Sequence, residues 1–435
     1  MDFKIIDSYI DGLIDNSTIE IPAWNIEKAR AGKMSGWDYI DGCMIMAILE
    51  LYAVTGKKKY FEFAEKYENA RIHEDGTIDG YKKEDYNLDD INGGKNLITL
   101  YKLTGKEKYA RAAAKLFDQL VSHPRTAEGN FWHKKIYPNQ VWLDGLYMAL
   151  PFLMEYEAEF EYNEDAVRDI YGQFFSADKK MRDKKTGLYY HAYDSSKSAF
   201  WADKKTGLSE HFWLRSLGWY SMAMLDTLNK SAKKNTKDWL KLKKNFSRFM
   251  ASMLKYQDKS GMWYQIPNLP DRSPNYLETS GSAIIAYSLL KGVRTKILED
   301  NVSDGGRSDG IDDFGNRGGF GPGDDFYGYD DFGGNFNFGS GFAEQCRRAG
   351  EKAFERICNN YLINEDGKIS LGGICLSAGL GPQNNLRRNG SFEYYMSEPI
   401  VKDDAKGSGP FILAYSEYMS INKVKQGGRK MQPAP

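Results

Sequence analysis

Cysteine and long apolar runs are scarce in this sequence. Its 435 residues include 4 cysteines, at irregular spacing and without a CxxC pair. This usage argues against a disulfide scaffold and is typical of a reduced, cytoplasmic protein. The first residues, MDFKIIDSYIDGLIDNS, predict an amphipathic helix and lack the apolar core of a signal peptide. No run approaches the roughly 20 apolar residues that cross a bilayer, so we expect no membrane partner.

An excess of charge of either sign is also absent. The 59 Lys and Arg residues balance 60 Asp and Glu residues, for a net charge of −1, and the basic residues form no single stripe. We therefore expect no nucleic-acid partner. Aromatic residues, in contrast, are plentiful, with 29 Tyr, 23 Phe and 9 Trp. Flat apolar rings of this kind suit carbohydrate sites, although they also fill ordinary cores.

An internal repeat indicates how the chain is organised. Residues 52–64, YAVTGKKKYFEFA, and 101–113, YKLTGKEKYARAA, share Tyr, Thr-Gly-Lys, Lys-Tyr and Ala and start 49 residues apart. Each Thr-Gly lies between two helical patterns and predicts a short connector that closes one helix before the next begins. A self-similar period of this length indicates stacked helical hairpins.

Apolar periodicity predicts five such pairs of helices and one closing helix. In each pair the first helix is small, apolar and aromatic, whereas the second is richer in Lys and Glu, so the first belongs inside and the second outside. The pairs are Asp41–Val54 with Lys59–Ala70, Asp90–Leu103 with Glu107–His123, Trp142–Glu157 with Asp165–Met181, Phe212–Leu228 with Thr236–Gln257, and Glu278–Val293 with Gly341–Asn360. The closing helix, Ser408–Ile421, is predicted to pair with the N-terminal helix. The predicted fold is an all-α (α/α)6 toroid, a single catalytic domain over residues 1–421.

Three segments depart from this pattern. Residues 186–210 combine Gly, Asp and Ser with a Tyr-Tyr run, which predicts a hairpin or long loop that lines the site. Residues 301–341 are dominated by Gly, Asp and Phe and are predicted to be a low-complexity insertion, remote from the chemistry. Its Asp pairs lack the spacing of a calcium loop, so we expect no metal site there. Residues 422–435 are predicted to be a basic, flexible tail.

Polar residues recur at the starts of the predicted inner helices, and a toroid brings these starts together at one end of its axis. Asp144, in the motif WLDGLY, lies in the first turn of its helix, where the helix dipole tolerates an anion. Its apolar surroundings disfavour the charged form, which prepares a carboxyl to donate a proton. A helix-terminal carboxylate with a structural partner is the alternative. Asp89 precedes Asp144 by about one repeat, so we expect the two on adjacent inner helices, one as acid and one as anion.

Five motifs together resemble one enzyme family. They are YNLDDINGGK (86–95), HKKIYPNQVWLDGLYMALPF (133–152), HFWLRSLGWY (211–220), ETSGSA (278–283) and YYMSEPIVKDDAKGSGPF (394–411). In this order they resemble glycoside hydrolase family 105, the unsaturated rhamnogalacturonyl hydrolases, which are relatives of the family 88 unsaturated glucuronyl hydrolases. The resemblance covers about residues 30–420 apart from the insertion, and implies the same six-hairpin toroid. We expect no cofactor and no metal.

The resemblance also implies a reaction. A polysaccharide lyase leaves a C4=C5 double bond on a terminal uronic acid; a carboxylic acid of the hydrolase then protonates C4 and helps water to add at C5. The hemiketal so formed opens and releases the next sugar. By resemblance Asp144 is the acid/base, and Asp89 is the second carboxylate that positions the substrate. The expected ligand is a small unsaturated oligosaccharide from pectin, with glycosaminoglycan or ulvan products as alternatives. A monomer and a homo-oligomer are both compatible with the sequence.

Other residues are assigned to substrate binding. The set is Trp37, Tyr39, His133, Lys134, His191, Trp213, Arg215 and Trp219. The planar fork of Arg215 suits a uronate carboxylate, and a salt bridge to a neighbouring Asp is its structural alternative. His133 meets polar groups of the sugar or satisfies a loop carbonyl, and each aromatic ring stacks on a sugar or packs the core. Two residues depart from the family pattern: Leu214 stands where Gly is expected, and His211 is atypical. Both leave the identity of the substrate open.

Two other classes of protein are compatible with a helical toroid. Polysaccharide lyases and sugar epimerases use the same fold, and a non-catalytic helical scaffold would use the insertion as its binding segment. A lyase needs a Tyr or His base and a group that neutralises the substrate carboxylate. The pair of Asp89 and Asp144 favours hydration of a double bond instead.

Overall fold

The computed structural model describes residues 3–300 and 341–425. In these ranges the α-helices are α1 Phe3–Asp15, α2 Ile26–Arg30, α3 Tyr39–Thr55, α4 Lys58–Asn69, α5 Gly94–Thr104, α6 Glu107–Val121, α7 Leu143–Glu159, α8 Glu164–Met181, α9 Leu214–Lys230, α10 Lys237–Lys255, α11 Thr279–Arg294, α12 Phe342–Asn360, α13 Phe392–Ser397 and α14 Ala405–Lys425. The strands are β1 Gln140–Trp142, β2 Ala192–Asp194, β3 Leu362–Glu365, β4 Lys368–Leu371, β5 Ile374–Cys375 and β6 Ile400–Val401, paired antiparallel as β1–β2, β3–β4 and β5–β6.

Six helices form an inner ring. In the order α3, α5, α7, α9, α11 and α14 each packs against the next, and α14 closes the ring against α3. Helices α4, α6, α8, α10 and α12 form the outer layer, each beside the inner helix that precedes it. Helix α1 completes that layer by packing on α14, where the Tyr9 and Ser408 hydroxyls are 2.8 Å apart and Tyr415 donates to Asp7 at 3.0 Å. The predicted (α/α)6 toroid is confirmed.

The Thr-Gly connectors have the predicted role. Gly56 and Gly105 end α3 and α5 in the left-handed conformation, with φ of 69° and 66°, and donate to the carbonyls of Tyr52 and Tyr101. Only glycine adopts this backbone without steric cost, so each helix stops there and the outer helix begins within three residues.

The second inner helix begins later than predicted. Asp89 and Asp90 belong to a 3-10 turn, Leu88–Ile91, and α5 begins at Gly94. Asn87 caps this turn by accepting from the Asp89 N–H at 3.1 Å. A Cβ on Gly93 would lie 2.6 Å from the Trp37 ring, so glycine at this position allows the close approach. The turn presents both acids ahead of the helix rather than on it.

The remaining predicted segments are described in part. The loop at 186–210 contributes β2, which pairs with β1 in the register Trp142↔Ala192. The predicted insertion at 301–341 lies outside the described residues except for Gly341, and so do residues 426–435 of the predicted tail; α14 extends four residues into that tail. All four cysteines are free thiols. Across residues 3–300 and 341–425, no helix has the length and apolarity needed to cross a membrane.

Candidate active site

The starts of the inner helices meet at one end of the ring, here called the mouth. Asp89 enters it from the 3-10 turn before α5, and that turn packs against α7, which carries Asp144. The chain before β1 crosses the same place, where Leu88 N–H donates to the His133 carbonyl at 3.1 Å. The motifs at 86–95 and 133–152 are therefore parts of one structure.

Asp89 is held as an anion. Its Oδ2 lies 2.5 Å from Lys134 Nζ, and its Oδ1 lies 3.8 Å from His133 Nε2. Burial by itself would raise the pKa of Asp89, but the Lys134 ammonium and the His133 ring lower it below its ordinary value. For Lys134 the opposite holds: burial would lower its pKa, and Asp89 raises it. Both shifts favour the charged forms of Asp89 and Lys134 at neutral pH.

His133 is a neutral, tightly packed ring. Burial lowers its pKa to about 4, although Asp89 acts in the opposite direction. The ring stacks on Trp142 with 4.4 Å between centroids. A Cβ on Gly145 would lie 2.7 Å from His133 Nδ1, so only glycine fits in the first turn of α7 at this point. The Nδ1 atom is buried and has no hydrogen-bond partner within the described chain.

Asp144 faces His191. The pairing of β1 with β2 brings the residue before β2 beside the start of α7, and Leu143 N–H donates to the His191 carbonyl at 3.2 Å. His191 Nε2 then lies 3.3 Å from Asp144 Oδ2, with the two side chains 0% and 15% exposed. On its other side, His191 Nδ1 is 2.8 Å from the Tyr395 hydroxyl. Two of the predicted site residues are thus in direct contact.

Arg215 is buried in the first turn of α9 and remains charged. Its Nη1 donates to the Cys375 carbonyl and, at 3.2 Å, to Ser280 Oγ, while Nη2 is 3.4 Å from the Leu376 carbonyl. Burial by itself would lower its pKa, whereas Cys375 and Glu278 raise it. Its Nε is buried without a hydrogen-bond partner. In the described part of the chain no carboxylate forms an ion pair with Arg215, so the salt bridge considered from sequence is not what holds it.

The predicted aromatic residues lie at different depths. Trp213 lies between His191, with ring centroids 4.8 Å apart, and the Arg215 guanidinium, 4.6 Å from its ring centre. Trp37 donates from Nε1 to the Asp90 carbonyl at 2.7 Å. Trp219 is 1% exposed and lies deeper, where Tyr147 stacks on its ring at 4.9 Å.

Electrostatic interactions link further members of the set of site residues predicted from the sequence. His133 interacts electrostatically with Asp89, Asp144 and His191. Tyr39 starts α3 and interacts with Asp89 and Arg215, although burial is the largest influence on its raised pKa. The residues gathered at the mouth are Tyr39, Asp89, His133, Lys134, Asp144, His191, Trp213 and Arg215, with Trp37 beside them. Trp219 is in the core below this group.

The two departures from the family pattern are both packed. Leu214 is fully buried against α11, where a Cβ on Gly281 would lie 2.4 Å from Leu214 Cγ. Its side chain fills the interface between α9 and α11 next to the Arg215 backbone. His211 lies edge-on to Phe392 and Tyr395 with ring centroids 6.3 Å apart in each case, and burial lowers its pKa.

Two residues that organise the site are not in the set of site residues predicted from the sequence. Tyr395 holds His191, and Glu278 accepts from Ser280 Oγ at 2.6 Å and from Cys375 N–H at 3.0 Å, which fixes two of the acceptors around Arg215. Both lie in quoted motifs, but the first contact spans 204 positions and the second 97. No local pattern signals such partners. Among the described residues no group of three or more His, Cys, Asp or Glu side chains is arranged to hold a metal ion.

An acid in contact with a buried histidine, beside a second ionised carboxylate, is equipment typical of a sugar-cleaving enzyme. The toroid carries these groups at its mouth, so fold and site together define a glycoside hydrolase. The model of Glycosyl Hydrolase Family 88 matches residues 13–304 and 338–422, which is most of the chain, and the protein belongs to that family.

Individual relatives refine this membership. A glycoside hydrolase from family 105 of C. acetobutylicum ATCC 824 is 40% identical, with a TM-score of 0.78 over 96% of this chain and 99% of that one. The unsaturated rhamnogalacturonyl hydrolase YesR of Bacillus subtilis is 27% identical over 275 residues, which are 61% of this chain and 74% of YesR. An unsaturated glucuronyl hydrolase specific for heparin shares the fold at 13% identity and a TM-score of 0.65, over 97% and 96% of the two chains. The predicted resemblance to families 105 and 88 is confirmed.

Proposed function

We propose that this protein is an unsaturated rhamnogalacturonyl hydrolase. It removes the 4,5-unsaturated uronic acid from the non-reducing end of rhamnogalacturonan fragments that a polysaccharide lyase has produced. The observation that carries the proposal is the contact of Asp144 with His191, beside the ionised pair of Asp89 and Lys134, in a chain of this family.

Asp144 supplies the proton. As a carboxylic acid it protonates C4 of the uronate, and the positive charge that develops at C5 is shared with the ring oxygen. Water then adds at C5 and returns a proton to the Asp144 carboxylate, so the enzyme ends as it began. The product is a hemiketal whose opening expels the next sugar. General acid/base catalysis of this kind contributes about 10²–10⁴-fold.

Asp89 and Arg215 bind different groups of the substrate. Asp89 is anionic and accepts hydrogen bonds from substrate hydroxyls, since a carboxylate has more acceptor sites than Lys134 occupies. Arg215 binds the uronate carboxylate. Its two Nη atoms are engaged by Ser280 and two carbonyls, but the buried Nε donor has no partner in the described chain, and a substrate carboxylate would satisfy it.

Two features support rhamnose as the sugar that follows the uronate. YesR, a relative at 27% identity, is named an unsaturated rhamnogalacturonyl hydrolase. Beside His133, moreover, Tyr137, Trp142 and Trp201 pack into an apolar cluster with Leu380. Rhamnose carries a methyl group at C6, which suits an apolar neighbour better than the N-acetyl or sulfate groups of glycosaminoglycan sugars do.

The test compares three disaccharides made with lyases: unsaturated galacturonyl-rhamnose, an unsaturated glycosaminoglycan disaccharide, and an unsaturated ulvan disaccharide. Turnover is followed as loss of the ultraviolet absorbance of the conjugated double bond. Unsaturated galacturonyl-rhamnose, whose rhamnose carries no sulfate, should have the highest kcat/KM. A preference for either of the other two compounds contradicts the proposed substrate. If the double bond of all three compounds persists, the proposed reaction itself is contradicted.

The same assay tests the acid. Asp144→Asn keeps size and polarity but has no proton to donate, so it should retain the fold and lose about 10²–10⁴-fold in kcat. Asp165→Asn is the matched control, because Asp165 also lies in the first turn of a helix, α8, but is exposed in the outer layer. Turnover by folded Asp144→Asn within a few-fold of the control would remove Asp144 from the mechanism.

A further inference from the structure

We propose that Tyr395 is a positioning residue that sets the tautomer of His191 and thereby decides which oxygen of Asp144 carries the transferable proton. The inference rests on the proposed acid/base role of Asp144. Tyr395 has no hydrogen bond to Asp144 and acts through the histidine between them.

The three side chains form a buried line. The Tyr395 hydroxyl is 2.8 Å from His191 Nδ1, and His191 Nε2 is 3.3 Å from Asp144 Oδ2. Tyr395 and His191 are both 0% exposed. Neither His191 Nε2 nor Asp144 Oδ2 forms a hydrogen bond within the described chain, so the two unsatisfied atoms, 3.3 Å apart, are available only to each other. His133, whose ring is neutral at physiological pH, is a further titratable group that interacts electrostatically with this pair.

Tyr395 acts as the donor in its contact with His191. Burial raises the pKa of the phenol well above its ordinary value, so the hydroxyl keeps its proton throughout the physiological range. Within residues 3–300 and 341–425 this hydroxyl has no hydrogen-bond partner other than His191. If Nδ1 carried a proton and donated to the tyrosine oxygen, the phenol proton would be left buried with no acceptor. A neutral imidazole that accepts at Nδ1 carries its proton at Nε2.

The position of that proton determines which oxygen of Asp144 is protonated. With a proton on Nε2, the nearby Oδ2 of Asp144 is left to accept, and the proton of the carboxylic acid is on Oδ1, the oxygen left for the substrate. In the opposite tautomer, Oδ2 would hold the proton and share it with the Nε2 lone pair, where it cannot reach C4. The same number of protons is present in both arrangements. Tyr395 favours the productive arrangement, because the opposite arrangement leaves the buried Tyr395 hydroxyl without an acceptor.

Tyr395 is itself fixed in place. It lies in α13 with its ring stacked on Trp213 at 6.2 Å, in an apolar cluster that also contains Ile266 and Phe392. The neighbouring Tyr394 is also buried, but its hydroxyl donates to the Gly379 carbonyl at 2.6 Å and makes no contact with His191. The two adjacent tyrosines therefore provide a matched pair, one acting on the site and one on the backbone.

The first experiment compares Tyr395→Phe with Tyr394→Phe. Tyr395→Phe should lower kcat about 10-fold with KM nearly unchanged, because the substrate is bound as before but a smaller fraction of enzyme holds the proton on Oδ1. Tyr394→Phe should lower the melting temperature without this loss in kcat. Repeating Tyr395→Phe in a His191→Asn background should abolish its effect, since the tyrosine then has no tautomer to set. An equal loss in both backgrounds would overturn the proposal.

The second experiment needs no turnover and so separates failure of this inference from failure of the proposed function. The chain has 5 histidines, so the ring nitrogens of protein labelled with ¹⁵N-histidine give few signals. The signals absent from His191→Asn belong to His191. In the wild-type protein they should report a neutral ring protonated at Nε2 only, and in Tyr395→Phe a mixture of tautomers. A wild-type His191 protonated at Nδ1 overturns the proposal even if Tyr395→Phe fails to fold.

Discussion

Replacing Lys134 by Met should reduce stability and turnover together, because it removes the counter-charge of a largely buried carboxylate. Lys134 Nζ lies 2.5 Å from Asp89 Oδ2, and the two side chains are 22% and 13% exposed. Breaking a fully buried ion pair costs about 3–5 kcal/mol, and breaking an exposed one about 0–1 kcal/mol. A pair that keeps this much contact with water lies between, so we expect a loss of about 2 kcal/mol at neutral pH.

The loss should shrink as the solution is acidified. In the wild-type protein Lys134 and His133 keep the pKa of Asp89 below its ordinary value, so the carboxylate contributes stability above its unfolded pKa and loses it only as pH falls through the lower, folded pKa. Without Lys134 burial dominates, and the folded pKa rises above the unfolded one. The variant then binds a proton on folding and gains stability relative to wild type as the pH falls through this raised pKa.

A double-mutant cycle isolates the pair. Denaturant unfolding of wild type, Lys134→Met, Asp89→Asn and the double variant gives the coupling energy, which should be about 2 kcal/mol. Lys233→Met is the control, because Lys233 forms an ion pair of similar length with Glu164 but both side chains are exposed, and its stability should be unchanged. Steady-state kinetics on the same samples should show Asp89→Asn and the double variant equally impaired. A coupling below about 0.5 kcal/mol would refute the view that Lys134 holds Asp89 as an anion.

Three further predictions use other parts of the molecule. Arg215→Lys should raise KM for unsaturated uronides, because Lys lacks the planar fork of the guanidinium. It should also destabilise the fold by about 1–3 kcal/mol, because the guanidinium binds two backbone carbonyls. A lower melting point with unchanged KM would show that the role of Arg215 is purely structural. Burial and the Asp89 charge raise the pKa of Asp90 to about 7, so its folded pKa exceeds its unfolded one and wild type loses stability as pH rises through this range. Asp90→Asn should therefore melt higher than wild type at about pH 8 and lose that advantage at about pH 5, and equal melting points at both would contradict the assignment. Replacing residues 301–340 with a short Gly/Ser linker should preserve kcat. Asp300 accepts from Gly341 N–H at 2.8 Å, so the two ends already meet, and they do so at the end of α11 away from the mouth. Loss of turnover at an unchanged melting temperature would show that the segment reaches the site.

Much of the fold could be predicted because short-range sequence patterns determine it. The Thr-Gly repeat predicted the connectors, since a left-handed residue at the end of a helix requires glycine whatever lies around it. The alternation of apolar and charged helices predicted two layers, since burial depends on composition along one element. The boundary at Asp90 was missed because a 3-10 turn and an α-helix share apolar spacing over one turn, and tertiary packing of Trp37 on Gly93 decides between them.

For the site, residue types and helix positions were predictable, whereas partners were not. Asp144 stands out locally as an acid among aromatic residues at a helix start, and Asp89 as an acid about one repeat before it, ahead of the preceding inner helix. That Asp89 pairs with Lys134 depends on how a loop crosses a turn 45 positions away, and that His191 lies between Asp144 and Tyr395 depends on closure of the whole ring. Hydrogen bonds act over about 3 Å, so only the folded chain brings such distant side chains within reach. The tautomer of His191, and with it the order of protons in the site, is for this reason a property of the tertiary structure alone.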